Sequence, residues 1–302
     1  MILYMNEYGL IDFLNNNAIS YLSNKSMKEY TTFKIGGNAK YIIFPDNIDK
    51  VALLVKYFNN QDINYMTLGK GSNILFNDDE LKRVIIKTDK LDKITAENGI
   101  IYSDSGISLA NLTMYAYSNG LSGLEFLFGI PGSVGGAVYM NAGAYGKIMS
   151  DVVIKTTFVN ENGDIKTINN EEHKYGYRKS VFTDKDIICN SSFSVCNQNK
   201  DIIKAKMDEL MLKRKTSQPL EYPSAGSVFK RPEGYFAGKL IEDSGLKGYS
   251  IGGAEVSEKH AGFIINKNNA SAKEVIALIN HIKNVVYEKY NVVLETEIKI
   301  IN

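Results

Sequence analysis

The chain has no tryptophan, only two cysteines and only five prolines in 302 residues. Two thiols, Cys189 and Cys196, cannot build a disulfide framework for a chain of this size. Both fall in an apolar, strand-like run, so buried or half-buried free thiols are expected. An excess of charge of one sign is also missing: 35 basic residues face 34 acidic ones, a formal net charge of +1. That balance gives no global field to gather nucleic acid or an anionic membrane, and neither is expected as a partner. No apolar run reaches the roughly eighteen residues that a transmembrane helix needs. Residues 1–13 carry Glu7 and Asp12 without a basic leader and do not read as a signal peptide, so a cytoplasmic location is the default. Arginine is scarce too. Arg83, Arg178, Arg214 and Arg231 are the whole set in a lysine-rich chain, so an arginine here marks a place that needs a rigid fork of donors.

What is present is a hydrophobic fraction of 44%, enough for a buried core, over a length that points to two or three lobes. Strand candidates at 39–44, 64–68 and 83–88 alternate with a helix. That helix is capped by Asp46 and striped by Ile48, Val51, Leu54, Val55 and Phe58. The middle is strand-rich, with hairpin signals at Asn98-Gly99 and Asn162-Gly163. Between them Ser108 caps a helix that Gly120 stops. A strand over 186–196 and a polar helix over 201–215 follow. Gln218-Pro219 and Tyr222-Pro223 then break the chain. Ser271 and Glu274 form a capping box for a last helix, and residues 292–301 form a terminal strand. Three lobes are expected: an α/β lobe over 1–82, a strand-rich lobe over 83–215, and a third over 216–302 that ends in the terminal strand.

Glycine is concentrated in two runs. Gly69-Lys70-Gly71-Ser72-Asn73-Ile74 follows a predicted strand. Gly129-Ile130-Pro131-Gly132-Ser133-Val134-Gly135-Gly136 continues to Asn141-Ala142-Gly143-Ala144-Tyr145-Gly146. Glycine turns let successive backbone N–H groups form nests for phosphate oxygens, and two nests suit a pyrophosphate. Neither run has the spacing of a Rossmann fingerprint or a P-loop: Ile74 and Ile148 stand where those motifs need other residues. The histidines His173, His260 and His281 show no metal spacing and no serine partner, so neither a metal site nor a hydrolase triad is expected.

Five separated motifs, in order along the chain, resemble the UDP-N-acetylenolpyruvoylglucosamine reductase family. They are Gly69-Lys70-Gly71-Ser72-Asn73, the run from Gly129 to Gly136, Tyr175-Gly176-Tyr177-Arg178-Lys179-Ser180, Ala225-Gly226-Ser227-Val228-Phe229-Lys230 and Leu294-Glu295-Thr296-Glu297-Ile298. The first two also resemble the wider vanillyl-alcohol-oxidase class of flavin proteins. The resemblance implies an α+β fold, with two FAD-binding lobes of that type (the PCMH type) and a C-terminal α+β substrate lobe. It implies noncovalent FAD, NADPH as reductant and a UDP-sugar substrate. The short segment after Arg178 places the chain in the branch without a long tyrosine-bearing loop. The oligomeric state is open, with a monomer as the default.

By the same resemblance Gly69, Lys70, Gly71, Ser72, Asn73, Ile74, Ile130, Pro131, Gly132, Ser133, Gly135, Gly136, Asn141, Gly143 and Ala144 hold the cofactor. Arg178, Ser227 and Glu297 are catalytic. The chemistry fits these types. Adding hydride to an enolpyruvyl methylene carbon builds negative charge on the next carbon and its carboxylate, which calls for a forked cation and a proton donor. Arg178 supplies the fork and Ser227 a hydroxyl that stays protonated. Strand alternation puts Glu295, Glu297 and Lys299 on one face. Tyr177, Arg214, Lys215, Lys230 and Arg231 are candidates for the substrate and its diphosphate. Another FAD-dependent oxidoreductase of the same class is the alternative, and a noncatalytic nucleotide-binding module is the third reading.

Overall fold

The structure is a computed structural model and describes residues 7–301. Residues 1–6 of the expected non-signal N-terminus, and the two ends of the expected lobes, lie outside the described residues. Two units emerge, each built from separate stretches of chain. The first takes Met1–Lys25, Lys40–Lys70 and Lys82–Met211, the second Ser26–Ala39, Gly71–Leu81 and Leu212–Asn302. These divisions differ from breaks at 82/83 and 215/216. Two stretches from the first hundred residues pack with the C-terminal part, which proline and glycine punctuation does not reveal.

The first unit carries two sheets. In one, Ser20–Ser26, Asn38–Phe44, Val84–Lys87 and Tyr65–Leu68 lie in that order, and the last three pair in parallel. The helix Ile48–Asn60 is the crossover and buries Val51, Ala52, Leu54, Val55 and Phe58. Each of the larger side chains, Val51, Leu54, Val55 and Phe58, contributes about 1.5–3 kcal/mol on burial. Its cap is Asn47 and not Asp46. The Asn47 side chain accepts from the Lys50 N–H at 2.9 Å, while Asp46 sits one residue too early and pairs with the Lys50 ammonium.

The other sheet is antiparallel, in the order Ile165–Asn169, Val153–Val159, Ile187–Ser194, Ile100–Asp104, Ile94–Glu97. Asn98 (φ 51°) and Gly99 (φ 76°) make the tight turn that Asn-Gly favours. Asn162-Gly163 also stands in a hairpin connection, between Val153–Val159 and Ile165–Asn169, with Gly163 at φ 80°, but in a longer loop. Val159 pairs with Ile165, so the loop is five residues long, and the Asn160 side chain accepts from the N–H groups of Asn162 and Asp164. Ser108 caps the helix Leu109–Ser118 as expected. Cys189 is buried, its thiol pushed up to about 12 by burial, but Cys196 is exposed because it lies beyond the end of the strand Ile187–Ser194.

The second unit has an antiparallel sheet in the order Ser224–Ser227, Phe263–Asn266, Ala254–Val256, Ser250–Ile251. Its core includes Val275, Leu278, Ile279, Ile282 and Val286, one face of the helix Ala272–Tyr290. The Ser271–Glu274 capping box is present, and the Asp78 carboxylate accepts from the Ala272 and Lys273 N–H groups at the same end. Only Lys299–Ile301 of the expected terminal strand is a strand, parallel to Ile74–Phe76. The residues before it join the sheet region by a single bridge, Phe229 to Thr296, instead of a ladder. Among the described residues no helix is long and apolar enough to cross a membrane.

Candidate active site

In the first unit the two glycine runs meet. Gly69 follows the strand Tyr65–Leu68, and a Cβ there would collide with the Ser133 hydroxyl, so only glycine allows this approach. The run around Ser133 is laid onto residues 105–109 by main-chain bonds: Leu109 N–H to Gly132 O, Val134 N–H to Ile107 O and Gly135 N–H to Ser105 O, each 2.9 Å. Ser133 then caps the short helix Val134–Tyr139 by accepting from the Gly136 N–H at 3.3 Å. Ile130 is half-buried and Pro131 exposed on the approach to it. Gly143 and Ala144 form a small hairpin with Lys147 and Ile148, closed by Tyr145 (φ 56°) and Gly146 (φ 82°).

Among the described residues two hydroxyls on this track are buried without a protein partner: Thr67 Oγ1, two residues before Gly69, and Ser105 Oγ, 3.6 Å from where a Cβ on Gly135 would stand. Buried polar atoms are normally satisfied, so these fit a polar ligand that completes them. The donor set of main-chain N–H groups and hydroxyls, with glycines allowing close approach, suits a dinucleotide pyrophosphate. Sequence reasoning missed Thr67 and Ser105, since hydroxyls outside a glycine run carry no local signal.

Beneath Gly69 lies an ionic cluster that was also missed. Lys87, 3% exposed, donates to the Gly69 carbonyl at 2.5 Å and pairs with Asp89 at 2.9 Å; Lys70 pairs with Asp89 at 3.0 Å. Burial pulls the Lys87 ammonium below its ordinary value, with Asp89 opposing. Burial works against the Asp89 charge, but the two lysines outweigh it and hold its carboxyl below the usual range. The one available signal was a lysine ending the apolar strand Val84–Lys87.

Asn141 occupies the left-handed position (φ 44°) after the helix Val134–Tyr139, a place asparagine tolerates. Its side chain is engaged within the protein. Nδ2 donates to Gly176 O at 3.1 Å, and Oδ1 accepts from the Ser150 N–H at 3.0 Å. Ser180 adds a second tie, donating to Tyr139 O at 2.7 Å. Between Gly176 and Lys179, which exchange backbone hydrogen bonds, stand Tyr177 and Arg178. Arg178 has φ 54°, unusual for a residue with a side chain, and its guanidinium lies 5.3 Å from the Tyr177 ring centre. Under the turn, His173 is fully buried and stacks on Tyr175.

In the second unit Gly71, Ser72, Asn73 and Ile74 precede the strand Ile74–Phe76 or open it. Gly71 backs onto the Tyr30 carbonyl. Asn73 Nδ2 donates to Glu297 O at 3.2 Å, and Asn73 O accepts from the Lys299 N–H at 3.0 Å. Ser227 ends the strand Ser224–Ser227 after a bulge, where Gly226 has φ 79° and a Cβ would meet nothing within 4 Å. The Glu297 N–H donates to Val228 O at 2.7 Å, so Ser227 and Glu297 stand on bonded neighbouring segments.

The other cations are scattered. Arg214 is 8% exposed and donates to the Gln218 side chain, and Lys215 is exposed. Lys230 pairs with exposed Glu295, while Arg231 lies over the Phe236 ring at 3.9 Å. His260 accepts from the Gly262 N–H through Nδ1, and His281 stacks on Tyr249.

Residues 39–169 match the family model of an FAD-binding domain, and residues 218–301 match that of the UDP-N-acetylenolpyruvoylglucosamine reductase C-terminal domain. The reductase of Clostridium novyi is 47% identical over 280 residues, covering 92% of this chain and 91% of its own length. That of Caldanaerobacter subterraneus is 47% identical over 279 residues, covering 92% of each. The crystal structure of the Thermus caldophilus reductase (MurB) superposes with a TM-score of 0.80 at 32% identity, covering 94% of this chain and 99% of the other. The α+β architecture is thus the PCMH-type FAD-binding fold with a reductase C-terminal domain, and the chain belongs to the UDP-N-acetylenolpyruvoylglucosamine reductase family.

Proposed function

We propose that this protein is a UDP-N-acetylmuramate dehydrogenase. It reduces the enolpyruvyl group of UDP-N-acetylglucosamine enolpyruvate to give UDP-N-acetylmuramate for peptidoglycan precursor synthesis, acting in the cytoplasm as a monomer. Bound FAD supplies a hydride equivalent drawn from NADPH. The chain's own residues do the rest. Arg178 grips the substrate carboxylate with two parallel charge-assisted bonds and stabilises the charge that develops there. Ser227 gives its hydroxyl proton to the carbon next to that carboxylate. Glu297 orients and polarises the developing enolate. The observation that carries this reading is the Ser227–Glu297 arrangement. A bulge precedes Ser227, a Cβ on Gly226 would meet nothing within 4 Å, and the Glu297 N–H is bonded to the Val228 carbonyl next to Ser227.

Residues of the glycine runs hold the cofactor, with a functional division into two FAD lobes and a substrate lobe along the chain. Tyr177, Lys215 and Arg231, all exposed, are the first candidates for the UDP-sugar. Arg214 and Lys230 follow, one buried and the other shared with Glu295. Anaerobic stopped-flow tests the function: enzyme reduced with NADPH is mixed with the enolpyruvyl UDP-sugar, and flavin absorbance should return. An enzyme that stays reduced is not this reductase.

A further inference from the structure

The Gly69 carbonyl lies against a lysine that is 3% exposed, in a protein whose other lysines serve mostly as surface charge. A buried ammonium is costly. Ion pairs taken out of water usually stabilise a fold less than apolar side chains of the same size would, so stability alone is a poor reason for Lys87. Its geometry supplies another. A trans peptide holds its C=O and N–H on opposite sides. By fixing the Gly69 carbonyl, Lys87 turns the Lys70 N–H of that same peptide the other way. Among the described residues no protein carbonyl accepts from the Lys70 N–H. On its remaining side, Gly69 is pressed against the Ser133 hydroxyl, so the peptide is clamped by Lys87 and by the second glycine run.

The charges follow the same logic. Lys87 and Lys70 share one carboxylate, Asp89, which leaves the cluster with one uncompensated positive charge beside the glycine turn. That excess favours a ligand with two negative charges. It is only half-screened, because Asp89 and Lys70 are about one-third exposed (33% and 35%).

We propose that Lys87 is a positioning residue of the cofactor site. Through the Gly69 carbonyl it presents the Lys70 N–H to the FAD diphosphate, and with Lys70 and Asp89 it sets the positive charge beneath it. The proposal rests on FAD binding at this turn and is independent of the substrate and of the roles of Arg178, Ser227 and Glu297.

The test is titration of full-length apoprotein with FAD and with FMN, which lacks the diphosphate bridge, followed by flavin fluorescence. Lys87→Met should raise the Kd for FAD by about 10- to 100-fold and that for FMN by much less. The salt dependence of FAD binding should flatten at the same time. Lys70→Ala removes the same charge without touching the Gly69 carbonyl and should cost several-fold less. Lys87→Arg, which keeps a buried donor and charge, should restore most of the affinity. Equal losses for FAD and FMN, or an unchanged FAD Kd in Lys87→Met, would overturn the proposal. If Lys87→Met does not fold, hydrogen exchange on the wild-type chain decides. The Lys70 amide should gain protection when FAD is added to apoprotein, and an unchanged exchange rate overturns the idea.

Discussion

The side-chain amide of Asn141 donates to the Gly176 carbonyl at 3.1 Å, tying the glycine-rich segment to the turn that carries Arg178. With the Ser180 hydroxyl on Tyr139 O, it makes two bridges between a helix of the cofactor region and a two-residue turn. A forked cation on a loose turn would lose its aim. Here the turn is held from both ends.

Asn141→Gly tests that bridge without adding strain, since glycine accepts φ 44°. Losing two buried side-chain hydrogen bonds should cost about 1–3 kcal/mol of stability. Turnover with the UDP-sugar should fall more than flavin reduction by NADPH. Asn141→Ala should be less stable again by about 1 kcal/mol, because alanine resists the left-handed region. Thermal melts of the holoenzyme and the two half-reactions measured separately check both points.

Arg178 stores strain at φ 54°. Arg178→Gly should leave the melting temperature unchanged or higher while turnover falls by about 100- to 1000-fold. Arg178→Lys should not rescue activity, because an ammonium lacks the planar fork. An Arg178→Gly enzyme with near-normal turnover would remove Arg178 from the carboxylate role.

Ser227→Ala should still let NADPH reduce the flavin but should turn over substrate by about 100-fold or more slowly. Gly226→Ala meets no steric obstacle and is disfavoured only by φ 79°, at about 1–2 kcal/mol. It should slow substrate turnover by re-aiming Ser227, with FAD affinity unchanged. Rapid-mixing kinetics and flavin titration separate these effects.

His173 makes stability depend on pH. Its Nδ1 faces the Asn169 carbonyl at 2.8 Å and so carries the proton, which leaves Nε2 to accept from Thr156 Oγ1 at 2.9 Å. Burial lowers the folded-state pKa below 6.5, against opposing hydrogen bonds and Glu172. The unfolded chain therefore binds the extra proton first. Stability is fully present above about pH 6.5 and is lost as the pH falls from there toward the folded value. His260 is shifted the same way by burial and adds to the effect. Melts with saturating FAD should fall from pH 7.5 to pH 5.5, and His173→Gln should flatten that fall. A midpoint that holds steady or rises in acid would reject the assignment.

Local patterns were legible where the chain obeys short-range rules. Ser271 and Glu274 are three residues apart and cap each other wherever that helix forms. Asn98-Gly99 makes its turn because both residues accept positive φ. Asn162-Gly163 marks its hairpin too, where the Asn160 side chain organises a longer loop, but Asp46 misled because Asn47 reaches the Lys50 N–H instead. Residues before Lys299 alternate like a strand, yet only one bridge pairs them.

By itself the sequence determined the family, the glycine runs and the identities of Arg178, Ser227 and Glu297, because motif order and residue chemistry are properties of the chain. Only the tertiary structure decided what those residues touch. It sets Gly69 against Ser133, buries Lys87 beneath the Gly69 carbonyl, spends the Asn141 side chain on Gly176 and brings Asn73 to Glu297. The last of these pairs is separated by 224 positions along the chain. No periodicity or propensity spans such a distance; only packing, with every buried donor and acceptor seeking a partner, selects which residues meet.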